Sequence, residues 1–564
     1  MNFLKNLNNL LERRIFLLTL FAIFLGVNWV MLFKVGEIPS YDFFRYSLFA
    51  EGIINGQLPE GLLSPPLHPL LVYGLGSILK FFSVNGDPFV TSGQVISLIS
   101  TILLLYFSFK LLEKFNYKMA IFGVLYLFLS PTIFKFLNWQ ITEMFYMFLL
   151  VASFYFLLNS DKLKSWVFIG FSIVTRFEGM LLVFSYLVKN VRIRLKYLPV
   201  AVFVPIFVFS DLIYLSSKYF GRILKKIQYL FLGDKIFYFF YHPEVLKNII
   251  IKNALFFLPL KTDPIIVSSI FWLFTIFVFL GILFLYKREK KFAVSLVVYL
   301  FVYIFIKGYV VDTGIALPHT RRLLPFIYLI NIFALLGFYN TYLLLKENIG
   351  IKYSKYIFFI FFFALSIFSR PSASQISVIV FLMAIISFAV ISLLKNWHLI
   401  EKVIVVILVS IIFTGMHSHA FKSARLFLKA SSSEGAFAIA QWLKSNNNED
   451  NKVWVFSSKY AIEYYNRRSS NIISENYPMW LKEESRRSYM EIFYNKVKKL
   501  GVKYILFDGN LPIQSQKDIR DIKEMLRRER RIGYFFRVKK DLFYKGKFVA
   551  TVLSPKRILS KSKK

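Results

Sequence analysis

Residues 165–187 read SWVFIGFSIVTRFEGMLLVFSYL, an apolar run as long as a membrane-spanning helix but interrupted by Arg176 and Glu178. Basic residues flank both ends of the run, in 162–164 and in 189–196. Because Lys and Arg accumulate in cytoplasmic loops, both ends are predicted to be cytoplasmic. Two arms of about 11 residues reach only about 16 Å each at helical rise. The sequence therefore predicts a broken hairpin that lifts the two charges to mid-membrane or beyond, where charges are rare and usually functional.

The composition of the 564-residue chain is that of a membrane protein. Residues of the AVILMFWYC set make up 57% and charged residues only 18%, against about 25% charged in a typical soluble domain. The high apolar content excludes intrinsic disorder. The absence of Cys excludes a disulfide scaffold, a thiolate metal site and a cysteine nucleophile. The net charge of +38 is interpreted as loop charge, and its spread over loops on both faces argues against nucleic-acid binding.

Apolar runs of about 20 residues predict the membrane spans. The first, Ile15–Phe33, follows basic residues and lacks a small-residue cleavage site, so it is interpreted as a span with a cytoplasmic N-terminus rather than a signal peptide. Further spans are predicted near 92–112, 119–134, 142–158, 197–215, 266–286, 291–310, 322–345, 355–369, 373–394 and 402–416. Counting the hairpin, residues 1–419 form a helical membrane domain of about 11–13 spans, whose first external loop is 34–90.

The composition changes after the last span, and residues 420–564 are predicted to form a small extracytoplasmic α/β domain. The parity of the spans places this segment outside. Alternating helical and strand patterns indicate the fold class. The predicted helices lie in 431–443, 459–465, 488–500 and 515–531, and the predicted strands in 452–457, 502–507, 534–539 and 548–553.

The first external loop carries the strongest chemical signal. Asp42 lies just past the outer membrane boundary, Tyr46 follows on a predicted short helix, and a proline-rich run SPPLHPL at 64–70 contains His68. Asp42 also fits an ordinary helix N-cap, and the proline run an ordinary helix start. Both interpretations remain open from the residues alone.

Three further polar signals lie at predicted outer boundaries: Glu143 at the head of a span, Arg176 and Glu178 at the hairpin tip, and His319, Arg321 and Arg322 before another span. Each has a structural alternative. Glu143 fits a carboxylate favoured by a helix dipole, the hairpin pair fits an internal salt bridge, and the arginines fit interfacial anchors. All these signals converge on the outer side, whereas independent caps and anchors would be scattered over both faces.

In order and topology, these features resemble the GT-C superfamily of polyprenyl-phosphate-sugar-dependent glycosyltransferases, in particular the protein O-mannosyltransferase and lipid A aminoarabinose transferase branch. The resemblance covers roughly residues 10–345 and rests on Asp42, Pro65-Pro66-Leu67, Glu143, Thr175-Arg176 and Arg321-Arg322. The chain departs from the family at Phe43, where a second carboxylate is common. It also lacks a Trp-Trp-Asp-like acceptor motif, which argues against the oligosaccharyltransferase branch.

The resemblance implies transfer of a sugar from a polyprenyl-phosphate donor to an acceptor hydroxyl on the outer face of the membrane, with inversion. The acceptor is a lipid, a glycan or a protein, and membrane lipids are further partners. The roles implied are Asp42 as general base and Glu143 as a carboxylate that orients Asp42, a substrate hydroxyl or an arginine. The donor-phosphate ligands would be Arg321, Arg322 and Arg176, and the substrate contacts Tyr46, His68, His319 and Glu178. The reaction requires no cofactor, although Asp42 and Glu143 also allow a divalent-cation site.

Two other classes of protein compete with this hypothesis. A secondary transporter would have many spans and intramembrane charge, but is expected to show paired interrupted helices in two related halves. The sequence shows one such interruption, at 165–187. An envelope scaffold would use residues 420–564 as a binding module. That segment has no G-x-G-x-x-G loop after a strand, so nucleotide binding is unsupported.

Overall fold

The described residues are helical up to residue 349 and mixed α/β from residue 434. The structure is a computed structural model, and it describes residues 41–56, 65–82, 87–128, 141–190, 265–312, 324–349, 434–446, 452–456, 459–466, 472–475, 486–508, 536–544 and 546–556. The chain divides into two compact units. One comprises residues 1–33, 63–72 and 92–424, and the other comprises 34–62, 73–91 and 425–564.

Ten α-helices are described before residue 350. They are α1 (Tyr41–Ile54), α2 (Leu67–Phe81), α3 (Pro88–Glu113), α4 (Tyr117–Phe128), α5 (Thr142–Leu158), α6 (Lys162–Thr175), α7 (Leu181–Lys189), α8 (Ile265–Arg288), α9 (Lys290–Asp312) and α10 (Leu324–Ile349). The predicted spans 92–112, 142–158, 266–286 and 291–310 coincide with α3, α5, α8 and α9, and the described parts of 119–134 and 322–345 lie in α4 and α10. The predicted spans Ile15–Phe33, 197–215, 355–369, 373–394 and 402–416 lie outside the described residues.

Two helices are long and apolar enough, by length and composition, to cross a membrane within the described part of the chain. They are α3 and the portion Leu324–Thr341 of α10. Helices α2 and α5 are apolar but shorter. The number of spans stays a prediction.

The interrupted run at 165–187 forms a hairpin. Helix α6 ends at Thr175, Arg176 is extended (φ −150°, ψ 138°), a short 3-10 helix follows at Phe177–Met180, and α7 then runs to Lys189. Lys189 donates to the carbonyl oxygens of Leu157 and Leu158 at the end of α5, so the hairpin returns to the end of α5 from which it started. Its arms of 14 and 13 residues therefore run the length of α5, and the tip lies at the start of α5.

Helices α8 and α10 pack closely because two glycines face the partner backbone. A Cβ atom at Gly281 would overlap the carbonyl oxygen of Phe333, and one at Gly337 would overlap that of Phe277. Small residues at such crossings let helix backbones approach in a membrane, where dispersion contacts replace the hydrophobic effect as the driving force. The edge-to-face pair Phe277 and Phe338, with ring centroids 5.6 Å apart, flanks this crossing.

The C-terminal part contains a five-stranded sheet in the order β2-β1-β3-β5-β4. The strands are β1 (Lys452–Phe456), β2 (Ile472–Glu475), β3 (Val502–Asp508), β4 (Phe536–Tyr544) and β5 (Lys547–Pro555), and the helices are α11 (Glu434–Asn446), α12 (Lys459–Asn466) and α13 (Arg486–Lys499). Strands β2, β1 and β3 are parallel, and β5 joins β3 and β4 antiparallel. A core around Trp454, Phe493 and Ile505 fills the space between α13 and the sheet.

Candidate functional site

The hairpin tip carries a buried ionic cluster centred on Arg176. Its Nη1 donates to Glu143 Oε1 (2.9 Å) and to Thr142 Oγ1 (3.0 Å). Its Nη2 donates to Glu178 Oε1 (3.1 Å), and its Nε to Glu178 Oε2 (3.3 Å). Four of the five guanidinium N–H groups thus donate to neighbouring oxygens, and the contact with Glu178 is bidentate.

Local sequence explains why this arginine points away from its own helix. The extended backbone of Arg176 stops α6, while its N–H still donates to the carbonyl of Ser172. Gly179 lets the chain fold back, because a Cβ atom there would overlap the backbone of Ser172 and Ile173. The side chain of Arg176 is consequently displayed at the turn and reaches across to the start of α5.

Glu143 occupies the first turn of α5, and its side chain is only 4% exposed. Ile141 precedes this helix and provides no side-chain cap, so Glu143 and Thr142 are the polar side chains at this helix end. A carboxylate is favoured there by the positive end of the helix dipole. The salt bridge with Arg176 offsets part of the cost of burying this carboxylate.

A buried histidine and three tyrosines lie near the cluster. His68, near the start of α2, is fully buried and lies against Phe145, with ring centroids 6.2 Å apart. Burial lowers the pKa of His68 to about 4, with the charge of Arg176 acting in the same direction and that of Glu143 opposing it. The imidazole is therefore neutral at ordinary pH, so its ring nitrogens include one donor and one acceptor.

The tyrosines extend the cluster along α5 and α9. The guanidinium of Arg176 lies 5.8 Å from the ring centroid of Tyr146, one helical turn after Glu143. The hydroxyl groups of Tyr146 and Tyr299 are 3.1 Å apart, and the ring of Tyr299 stacks on that of Tyr303. Sequence reasoning missed Tyr146, although its position three residues after Glu143 on a helix was a usable signal.

The structure thus brings together four of the predicted site residues: Glu143, Arg176, Glu178 and His68. Arg176 and Glu178 form the internal salt bridge that the sequence offered as a structural alternative to a functional role. Glu143 is a further partner of Arg176. Two carboxylates and one guanidinium give these three side chains a formal charge of −1. An incoming phosphate would have to compete with both carboxylates for Arg176, so the phosphate-binding role of this residue stays a prediction.

Of the remaining predicted residues, two lie on a described helix and three lie outside the described residues. Asp42 is the second residue of α1, which agrees with its assignment to a helix start, and Tyr46 is half-buried on the same helix. Both belong to the unit that contains the C-terminal sheet. His319, Arg321 and Arg322 lie outside the described residues. Within the described residues no group of three or more His, Asp or Glu side chains forms a metal-binding cluster.

Comparison with known proteins finds similarity at the level of structure. No protein-family model matches the sequence, and no curated protein matches it. ArnT from Cupriavidus metallidurans in the apo state superimposes with a TM-score of 0.50 and 13% identity, over 95% of this chain and 97% of that chain. The same protein bound to undecaprenyl phosphate gives 0.49 and 12%, over 94% and 97%.

A second solved protein with some similarity is the archaeal oligosaccharyltransferase AglB from Archaeoglobus fulgidus, in complex with an inhibitory peptide and a dolichol-phosphate. Its TM-score is 0.47 at 12% identity, over 88% of this chain and 70% of that chain. ArnT is a lipid A aminoarabinose transferase, and both proteins are GT-C glycosyltransferases. The similarity to apo ArnT, which extends over nearly the whole of both chains, shows that this chain shares the overall fold of ArnT.

Proposed function

We propose that this chain is a membrane glycosyltransferase that moves a sugar from a polyprenyl-phosphate donor to an acceptor hydroxyl on the outer face of the membrane. The observation that carries the proposal is the buried cluster of Arg176, Glu143 and Glu178 at the tip of the interrupted hairpin. It lies at the end of α5 that is predicted to be external, in a chain with the fold of ArnT. ArnT has been solved with undecaprenyl phosphate bound, which supports a lipid phosphate as the donor's carrier.

In the proposed reaction the acceptor oxygen attacks the anomeric carbon while the bond from that carbon to the phosphate oxygen breaks. Asp42 takes the acceptor proton, and general-base catalysis of this kind contributes about 10²–10⁴-fold. Polyprenyl phosphate leaves with the bonding electron pair and needs no general acid, because it is a weak base. A single in-line displacement inverts the anomeric centre.

The developing charge on the departing phosphate calls for fixed cations in a site of low dielectric constant. Arg321 and Arg322 are the proposed ligands, because the planar guanidinium fork binds phosphate oxygens in pairs. Arg176 would order Glu143 and the hairpin tip beside the substrates, and His68 would contact a sugar hydroxyl as a neutral donor or acceptor. A cysteine nucleophile is excluded, since the chain has no Cys.

The first test replaces the proposed base. Asp42→Asn keeps the shape of the side chain but cannot accept the proton, so transfer should fall by at least about 10²-fold. Purified protein in lipid nanodiscs is supplied with radiolabelled polyprenyl-phosphate sugars and with envelope extract from a strain lacking the gene. Mass spectrometry of envelope glycans from that strain identifies the sugar and the acceptor.

The matched control is Glu113→Gln, which removes a carboxylate from a one-third-exposed pair with Lys110 at the C-terminal end of α3. This control should transfer sugar at the wild-type rate. Full turnover by folded Asp42→Asn would refute the proposed role of Asp42 and, with it, the proposed mechanism.

A further inference from the structure

The helix that begins beside Asp42 is fastened to the C-terminal part of the chain by aromatic side chains. Phe43 and Phe44, in the first turn of α1, are fully buried. Their rings meet two consecutive tyrosines of α12. The ring centroids of Phe43 and Phe44 lie 6.1 Å and 5.1 Å from that of Tyr464, and Phe44 lies 5.1 Å from Tyr465. Aromatic pairs at these distances stabilise a contact beyond the effect of their buried area.

The two tyrosines are themselves held from other directions. The hydroxyl of Tyr464 donates to Asp87 Oδ2 at 2.7 Å. The other carboxylate oxygen of Asp87 accepts from the backbone N–H of Phe89 at 2.9 Å, and so caps the start of α3. The ring of Tyr465 packs edge-on against Phe437 of α11, 5.0 Å between centroids. The tyrosine pair therefore connects α1 to the start of α3 and to α11.

This packing gives a physical reason for Phe at position 43. The resembled family commonly has a second carboxylate there, whereas Phe43 is a buried hydrophobic anchor. Asp42 and Phe43 are consecutive residues of one helix, so the backbone that carries the carboxylate is fixed by the contacts of its neighbour. A displacement of about 1 Å in a reacting group can lower a rate by about 100-fold.

We propose that Tyr464 and Tyr465 are positioning residues that hold the start of α1, and thereby the carboxylate of Asp42, in its reactive place. A segment of the C-terminal α/β region is then part of the catalytic apparatus rather than only a module that binds acceptor. The proposal rests on the proposed function, in which Asp42 is the general base.

The test compares Tyr465→Ala and Tyr464→Phe with the wild type in the transfer assay. Tyr465→Ala removes the ring between α1 and α11, and kcat should fall about 10- to 100-fold while the KM for donor changes less than about threefold. Tyr464→Phe loses only the hydrogen bond to Asp87 and should show a smaller fall. Tyr465→Phe keeps the ring and should restore kcat. Phe543→Ala, which truncates an exposed aromatic side chain of β4, is the matched control.

A double-mutant experiment separates positioning from general stability. If Tyr465 acts through Asp42, adding Tyr465→Ala to Asp42→Asn should leave the residual rate unchanged, because the carboxylate to be positioned is already gone. An additional loss equal to that of the single variant would overturn the proposal. So would an unchanged kcat in Tyr465→Ala, or a fall fully explained by a smaller folded fraction. Full activity of Asp42→Asn would instead overturn the proposed function itself.

Discussion

At the scale of single residues, Arg176 is the centre of the buried ionic cluster at the hairpin tip. Its side chain is 18% exposed and forms salt bridges with two carboxylates, of which Glu143 is nearly inaccessible to solvent. Removing one partner of a buried ion pair is strongly destabilising, by about 3–5 kcal/mol, because the remaining charge stays buried without compensation. Both carboxylates would be left in this state by Arg176→Ala.

The expected result is a clearly lower midpoint of thermal unfolding for Arg176→Ala in detergent or nanodiscs. Adding Glu143→Gln removes one of the abandoned charges and should recover part of the loss. Lys110→Ala serves as the matched control, since it breaks a salt bridge of similar length, 2.8 Å, between side chains that are one-third exposed. Surface pairs of that kind are worth about 0–1 kcal/mol. Equal effects of Arg176→Ala and Lys110→Ala would show that the buried cluster does not hold the hairpin tip.

At the scale of elements, the hairpin at 165–187 shows what the sequence could predict. Basic residues at both ends and charges in the middle were enough to predict a break at Arg176 and a return to the starting side. The arms are longer than the 11 residues expected, because α6 begins at Lys162 and α7 continues to Lys189. The contact with Glu143 could not be predicted, since it depends on which helix the tip packs against, and periodicity carries no such information.

The α/β region shows a similar limit. Strands β1, β3, β4 and β5 and helices α11, α12 and α13 each lie within a few residues of their predicted bounds. Strand β2 was missed because it has only four residues, too few for an alternating pattern to be recognised. The helix predicted at 515–531 lies outside the described residues. The aromatic contacts between α1 and α12 join residues about 420 positions apart, a separation that single-sequence patterns do not resolve.

The tight turn of the hairpin gives a prediction at the same scale. Gly179→Ala introduces a Cβ atom into the backbone of Ser172 and Ile173, so the turn must open and move Arg176 away from Glu143. Both the thermal midpoint and the transfer rate should fall. Gly74→Ala on α2 is the control, because a Cβ atom there meets nothing within 4 Å and alanine favours a helix by about 1 kcal/mol. Indistinguishable behaviour of the two variants would contradict the close approach at Gly179.

At the scale of the whole molecule, the proposal depends on which side of the membrane each region occupies. The predicted cytoplasmic loops carry clustered basic residues such as 287–291, and the α/β region at 420–564 is predicted to be external. A lipid-linked donor presents its sugar at one membrane surface, so the chemistry requires the proposed catalytic loop 34–90 to face that surface. Residues 34–62 and 73–91 belong to the same compact unit as 425–564. Locating the α/β region therefore locates most of this loop.

The chain has no Cys, so single introduced cysteines report location without background. Lys444 is an exposed residue near the C-terminal end of α11, and Lys287 is an exposed residue at the end of α8, so Lys444→Cys and Lys287→Cys are both accessible to a reagent on their side of the membrane. In right-side-out membrane vesicles, a membrane-impermeant maleimide should label Lys444→Cys at once and Lys287→Cys only after permeabilisation. Inverted vesicles should give the opposite pattern, because the two sites exchange access to the reagent. Labelling of both sites in intact vesicles of one orientation would place the α/β region on the same side as the basic loops. A sugar donor on the outer face could not then reach Asp42.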